Sequence, residues 1–321
     1  MRSFEIKKND AGQRLDKFIS KSLPVIPQAL MYRYIRTKRI KLNGKRAEIS
    51  SRLAEGDIVD MYIGDEFFAE GKAKRYDFLR ASGRLDIIYE DVNILLLNKS
   101  AGLLSHPDGE EFADTLITRA RRYLYEKGEY LPEDESSFAP ALANRIDRNT
   151  AGIVMAAKNA ESLRVLNEKI KNREIIKRYL CVVHGKMPKK NDTLRGYLYK
   201  DGEKNMVFVH GERREGDREI KTRYEVLAER GGLSLLEIDL LTGRTHQIRA
   251  HLASAGHPIL GDGKYGSRAQ NKKWGYKKQF LCSYKLIFNF QSGAGILDYL
   301  NNREFEVPEV WFREAFLNGE L

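Results

Sequence analysis

Five strand-like runs crowd into residues 174–241, at 174–184, 193–199, 205–210, 219–228 and 234–241, with only a few residues between one and the next. Connections that short cannot carry the crossover a parallel pair needs, so these strands read as mostly antiparallel. Two more runs flank the Glu90-Asp91 turn, and others fit Ile153 to Ala157 and 280–290. Helical spacing shows at Leu116 to Leu124, at Leu163, Leu166 and Ile170, and from Thr245 to Ala255, where Gly256 and Pro258 stop it. Strands outnumber helices and do not alternate with them. The reading is an α+β fold with a mixed, mainly antiparallel sheet.

A smaller pattern precedes it. Leu15, Phe18, Ile19 and Leu23 share one helical face, and after the Pro24 to Pro27 break a second helix carries Leu30, Met31, Tyr34 and Ile35. Ile40 and Leu42 alternate with lysines as in a half-buried strand, and Asn43-Gly44 tolerates the positive φ of a tight hairpin. Gly56-Asp57 turns the chain into Ile58, Val59, Met61 and Ile63. The expected organisation is a small α/β unit over 1–63, a polar linker over 64–84, and a larger body over 85–321.

Charge marks the small unit. The chain carries 56 Lys and Arg against 45 Asp and Glu, and residues 1–63 alone hold 14 basic and 7 acidic side chains. The stretch from Arg33 to Arg46 contains Arg33, Arg36, Lys38, Arg39, Lys41, Lys45 and Arg46 and no acid. Such density on a folded segment reads as a phosphate-facing surface, since each phosphate neutralised releases a condensed counterion. The plainer alternative is a solvated helix face.

Several classes fall away. Cys181 and Cys282 form no CxxC, which excludes a disulfide framework and a Cys-rich zinc site, and both sit in apolar runs that predict buried thiols. The N-terminus shows no apolar signal region, and the longest aliphatic runs are four or five residues, so a cytoplasmic protein with no membrane span is expected. Gly263-Lys264 is not a phosphate loop, because Pro258 stands where its first glycine belongs. No GxGxxG opens a helix, and His246, His251 and His257 lack metalloprotease spacing. GxSxG is absent. No cofactor and no metal are expected.

Two polar segments remain as carriers of chemistry. One runs Asn144-Arg145-Ile146-Asp147-Arg148-Asn149-Thr150-Ala151-Gly152; the other runs from Leu241 through Gly243-Arg244-Thr245-His246-Gln247-Ile248-Arg249 to Leu252. Taken alone, Asp147 reads equally as a turn cap through Thr150, and Arg249 as an ion-pair residue on a helix.

Together these segments resemble the RluA-type pseudouridine synthases. That family's signature loop is His-Arg-Leu-Asp followed by Thr-Ser-Gly; here it stands as Asn144-Arg145-Ile146-Asp147 and Thr150-Ala151-Gly152. Its second block is intact as Gly243 to Leu252 followed by Gly261-Asp262-Gly263-Lys264-Tyr265-Gly266. Lys177-Arg178-Tyr179-Leu180 and Leu97-Asn98-Lys99-Ser100-Ala101-Gly102 match two more blocks, with Ser100 in place of the usual proline. Residues 11–63 resemble the S-four-type RNA-binding domain.

The resemblance implies an isomerase that turns uridine into pseudouridine in structured RNA, without a cofactor. It makes 85–321 the catalytic domain and assigns the reacting carboxylate to Asp147. Arg249 becomes its charge-balancing partner, and Tyr179 a ring stacked on the uracil. Arg145 would fill the gap left by an extruded base, with Arg148 and Arg244 as phosphate or loop-positioning residues. The two-domain arrangement resembles synthases of large-subunit ribosomal RNA, and a monomer is expected. A transfer-RNA synthase, a glycosidase that does not rejoin the base, and a noncatalytic ribosome-assembly factor are the competing readings.

Overall fold

The computed structural model describes residues 1–69, 76–109, 111–203, 206–266, 271–272, 275 and 278–321. In the small unit, α1 (Leu15–Ser22) and α2 (Gln28–Arg36) cover a sheet of β1 (Arg2–Glu5), β2 (Ile40–Leu42), β3 (Lys45–Arg46) and β4 (Ile58–Met61), in the order β1-β4-β2-β3. Asn43 (φ 52°) and Gly44 (φ 70°) are both left-handed, as a two-residue turn between right-twisted strands requires. Phe18 and Ile19 of α1, Met31 and Ile35 of α2, and Ile40, Val59 and Met61 of the strands form a sealed core. Leu30 and Tyr34, expected on the inner face of α2, are only half-buried. The register of Met31 and Ile35 leaves Arg33 and Arg36 in solvent.

Of the linker, 70–75 lies outside the described residues. Its ends are anchored in opposite directions: Phe68 on the one-turn helix α3 (Glu66–Ala69) joins the first core, and Phe78 on a 3-10 turn, Asp77–Arg80, joins the second.

The large sheet holds β5 (Ile87–Glu90), β6 (Ile94–Lys99), β8 (Ala151–Ala157), β9 (Ile175–His184), β10 (Asn191–Asp201), β11 (Met206–His210), β12 (Arg218–Arg230), β13 (Leu233–Leu240) and β14 (Leu281–Phe288). Their order is β11-β10-β12-β13-β9-β14-β8-β6-β5, with β7 (Ala141–Leu142) on β8 and β15 (Glu304–Glu306) on β14. Every pairing is antiparallel except β14 with β8. The fold is α+β, as the short connections predict.

Ser283 of β14 lies opposite Gly152 on one side and Tyr179 on the other. Gly152 has φ 109°, and a Cβ there would stand 2.2 Å from the Ser283 carbonyl oxygen. Only glycine permits this approach.

Helix α4 (Leu116–Glu126) starts at a capping box between Thr115 and Thr118, and α5 (Ala160–Lys171) is capped by Asn159, whose Oδ1 accepts from Ser162 N at 2.8 Å. Helix α6 (Gln247–Ser254) starts two residues later than its spacing predicts, because His246 is left-handed at φ 54°. The reversal lets Gln247 Oε1 accept from Arg244 N and Thr242 Oγ1, at 3.2 and 2.9 Å. Beyond 290, a 3-10 turn (Gly295–Leu300), β15 and α7 (Arg313–Asn318) fold back and bury Leu297, Leu300, Phe312 and Phe316. No helix among the described residues is long and apolar enough to cross a membrane.

The polar loop at 128–140 has a second role. Asn9 Nδ2 donates to Glu135 Oε1 at 2.6 Å, Ser137 N donates to Asp10 Oδ1 at 3.0 Å, and Arg164 Nη1 of α5 donates to Ala11 O at 2.9 Å. The small sheet is thereby hydrogen-bonded to the body carrying the large one.

Candidate active site

Asp147 stands on the loop between β7 and β8, and four contacts hold that loop. Asn144 Oδ1 accepts from Met155 N at 2.8 Å, which gives this asparagine a definite bond into β8. Ile146 is buried in the main core, and its carbonyl accepts from Ser105 Oγ at 3.0 Å. Thr150 N donates to Asp147 O at 3.1 Å, closing a turn. Fully buried Lys99 donates to the carbonyls of Ser100, Leu103 and Arg148 at 3.0, 2.7 and 2.9 Å, tying the Gly102 turn to the residue after Asp147. Burial pushes the Lys99 pKa down to about 7, against the pull of the Asp147 carboxylate.

The carboxylate so presented has a built electrostatic frame. Arg249 Nη1 donates to Asp147 Oδ2 at 2.9 Å, while Arg249 Nε and Nη2 grip Asp262 Oδ2 and Oδ1 at 2.8 and 3.0 Å. Asp262 is fully buried and also accepts from the backbone N–H groups of Lys264 and Tyr265 at 2.8 and 3.0 Å. Burial works to raise the Asp262 pKa, and the Arg249 bonds outweigh it and lower it. Burial likewise opposes the charge on Arg249, but Asp262 and then Asp147 leave its pKa raised. The Arg249–Asp262 ion pair therefore persists inside the fold.

His246 completes the frame. Its Nε2 lies 3.8 Å from Asp147 Oδ2, and its Nδ1 lies 2.8 Å from Tyr265 Oη, which accepts from Val207 N at 3.0 Å. Burial, ahead of Asp147's opposing pull, lowers the His246 pKa and keeps the ring neutral at pH 7.

Asp147, Tyr179 and Arg249 line one cleft of about 700 Å³, with Arg145 and Arg244 on it too. Tyr179 is buried and its hydroxyl bonds to Ser283; burial, reinforced by Asp147, pushes its pKa up to about 12, so it stays a proton donor at neutral pH. Ile175, Ile176 and Leu281 supply apolar wall. Arg148 is not part of this cleft. The turn sends it to a separate cavity of about 950 Å³, where its Nε donates to Gly102 O at 3.2 Å. The basic run of the small unit is also elsewhere: Arg33, Arg36, Lys38, Arg39, Lys45 and Arg46 are exposed and Lys41 half-buried. Among the described residues none of the seven pairs with a carboxylate. Arg33 and Arg39 lie over the Tyr34 ring at 5.9 and 5.7 Å.

Sequence reasoning missed several members. Asp262 and Tyr265 were visible only as a spacing, Gly261-Asp262 to Tyr265-Gly266; the turn their backbone makes gives that spacing its purpose. His246 lay unused inside the second block. Lys171, Arg173 and Lys177 add a basic rim to the cleft and carried no motif beyond the lysine before Tyr179. No group of three or more His, Cys, Asp or Glu among the described residues is arranged to hold a metal ion.

Comparison with known proteins adds the following. Residues 93–254 match the family described as RNA pseudouridylate synthase, and residues 13–59 match the S4 domain. An uncharacterized RNA pseudouridine synthase of Mycoplasma capricolum is 30% identical over 94% of this chain and 96% of its own. A ribosomal large subunit pseudouridine synthase C of Haemophilus ducreyi is 31% identical over 91% of this chain and 88% of its own. Among solved structures, human RNA pseudouridylate synthase domain containing 1 shares the fold at a TM-score of 0.55 and 21% identity, covering 71% of this chain and 84% of that one.

Proposed function

We propose, from the premise that this chain belongs to the RNA pseudouridylate synthase family and is an RNA pseudouridine synthase, that Asp147 is its reacting carboxylate and large-subunit ribosomal RNA its substrate. The observation that carries the assignment is the 2.9 Å bond from Arg249 to Asp147 on the wall of a cleft that also holds Tyr179.

The reaction breaks the bond from ribose carbon 1 to uracil nitrogen 1, turns the base, and rejoins it through carbon 5. The carbon 5 proton leaves and nitrogen 1 gains one, so atoms balance without a cofactor. Arg249 takes only Oδ2 of Asp147, and Oδ1 makes no hydrogen bond to any described residue. That oxygen is placed to attack the anomeric carbon or to remove a sugar proton, and both routes need the same ionised group. Tyr179 supplies a ring against the base and a protonated hydroxyl beside it.

The target must leave its stack first, at a cost of a few kcal/mol. Exposed Arg145, beside Asp147 on the cleft, fills the vacated space with a planar guanidinium. The unpaired cations of the small unit hold the RNA backbone and raise its local concentration at the cleft, with Arg244 on the rim and Arg148 holding the Gly102 turn. The protein works as a monomer in the cytoplasm.

Pseudouridine mapping of all RNA from cells with and without the gene tests this. Loss of one or a few sites in large-subunit ribosomal RNA is the expected result. Loss confined to transfer RNA would reassign the substrate, and an unchanged map would remove the assignment.

A further inference from the structure

The large sheet extends past the cleft as a hairpin of β10 and β11, and among the described residues one of its faces has no cover. Side chains alternate between the two faces of a strand. On one face Leu198, Val207 and Ile220 pack against Ala250 of α6. On the other, Tyr199 and Phe208 stand directly opposite each other across the ladder, 46% and 39% exposed. Neither ring packs on another aromatic ring among the described residues.

This face leads back to the cleft. Two steps along β10 from Tyr199 is Tyr197, and two more is Arg195; across the ladder they meet Glu219 and Lys221 of β12. Lys221 N donates at 2.8 Å to Thr242 Oγ1, and Thr242 lines the cleft. Glu219 lies 2.8 Å from Lys221 Nζ, and its carboxyl is held below the usual range by Lys221 first, with Arg195 and the cleft residue Arg173 adding to the effect. Arg173, Lys221 and Arg195 thus gather around the single carboxylate of Glu219, three cations to one acid, between the rim of the cleft and an exposed pair of rings. Cations that bind a backbone, followed by exposed rings on which bases can stack, are what single-stranded nucleic acid requires.

Resting on the reading of the cleft as a uridine site, we infer that Tyr199 and Phe208 form a stacking platform for unpaired bases flanking the target uridine, with Arg195 and Lys221 taking the phosphates between. An extruded uridine lies in locally unpaired RNA, so bases free to stack are at hand. The platform is sequence-tolerant, since every base has a π-face, and it lengthens the footprint without naming a sequence.

The test uses the full chain and a fluorescein-labelled 12-nucleotide oligouridine, by anisotropy across a salt series. Replacing both rings (Tyr199→Ala with Phe208→Ala) weakens binding by about tenfold or more, with the slope of log Kd against log salt unchanged. Tyr199→Phe keeps wild-type affinity. Arg195→Ala and Lys221→Ala each flatten the slope by about 0.7. Wild-type affinity in the double ring variant, or a flattened slope there, overturns the platform. So does a wild-type protein that sediments as a dimer and becomes a monomer on loss of the rings, because the occupant is then a second copy. Pseudouridine formation by the wild-type protein is scored separately. Its absence, with ring-dependent binding intact, sinks the reading of the cleft and leaves the platform standing.

Discussion

Arg249 is bound twice by Asp262, at 2.8 and 3.0 Å, and once by Asp147, at 2.9 Å. The fully buried Asp262 therefore fixes the plane of the guanidinium and leaves Nη1 to direct one N–H at Asp147. The orientation of that N–H, and through it the rotamer of Asp147, is set by a residue that lines no part of the cleft.

Asp147→Asn preserves size and removes the negative charge. Turnover falls by about 10³-fold or more, while RNA affinity stays within about threefold of wild type. Single-turnover pseudouridine formation and filter binding on the same RNA give the two numbers. Substantial activity in this variant would move the reacting group elsewhere.

Arg249→Met leaves Asp262 buried without its cation. The expected loss is about 3–5 kcal/mol of folding stability, read from urea unfolding. Adding Asp262→Asn to Arg249→Met recovers part of that loss, because the stranded charge is gone. Arg249→Lys recovers little, since a point charge cannot bridge two carboxylates in one plane. Additive losses in the double variant would show that the two residues do not act together.

Changing Arg33, Arg36, Lys45 and Arg46 to Gln weakens RNA binding and reduces its salt slope by about 0.7–0.9 for each phosphate that these side chains no longer neutralise. Turnover at saturating RNA stays at the wild-type value, because the four residues lie outside the cleft. An unchanged slope would mean that this exposed face meets no RNA.

His251 supplies a pH dependence with a definite sign. Its Nδ1 lies 2.9 Å from Thr222 Oγ1, and burial, opposed by a bond to the Arg195 backbone, lowers its pKa to about 4 from 6.5. Above pH 6.5 the ring is neutral folded and unfolded, so its contribution is intact. Between pH 6.5 and 4 the unfolded chain takes up a proton that the folded one refuses, and stability falls; below 4 the loss levels off. His251→Gln removes this component. Urea midpoints at pH 7, 5.5 and 4.5 should converge on acidification if the variant begins less stable than wild type, and diverge in its favour if it begins equal.

Local features were legible in the sequence because local rules decide them. The Asn43-Gly44 hairpin, the buried face of α1 and the antiparallel character of strands β9 to β13 follow from spacing and turn chemistry. Partners far apart in the chain were not. β1 joins β4, β8 lies parallel to β14, and the 128–140 loop meets the small unit through bonds that leave no periodicity. In the site, Asp147 and Arg249 lie 102 residues apart and came together only through resemblance to a family pattern. Arg148, adjacent to Asp147 and equally basic as Arg145, shows the limit of such patterns. A turn separates neighbours in sequence into two cavities, and no composition predicts which way each side chain goes.

The missing methyl at Gly152 sets a tolerance for the whole pocket. A single strand, β14, is the spacer between the stem of the Asp147 loop and the strand that bears Tyr179. Gly152→Ala would drive a wedge into that seam and move acid and ring apart, with every lining side chain still present. An enzyme disabled in this way would look complete in its sequence motifs and fail as a gauge set too wide fails, by a fraction of an ångström at the back of the sheet.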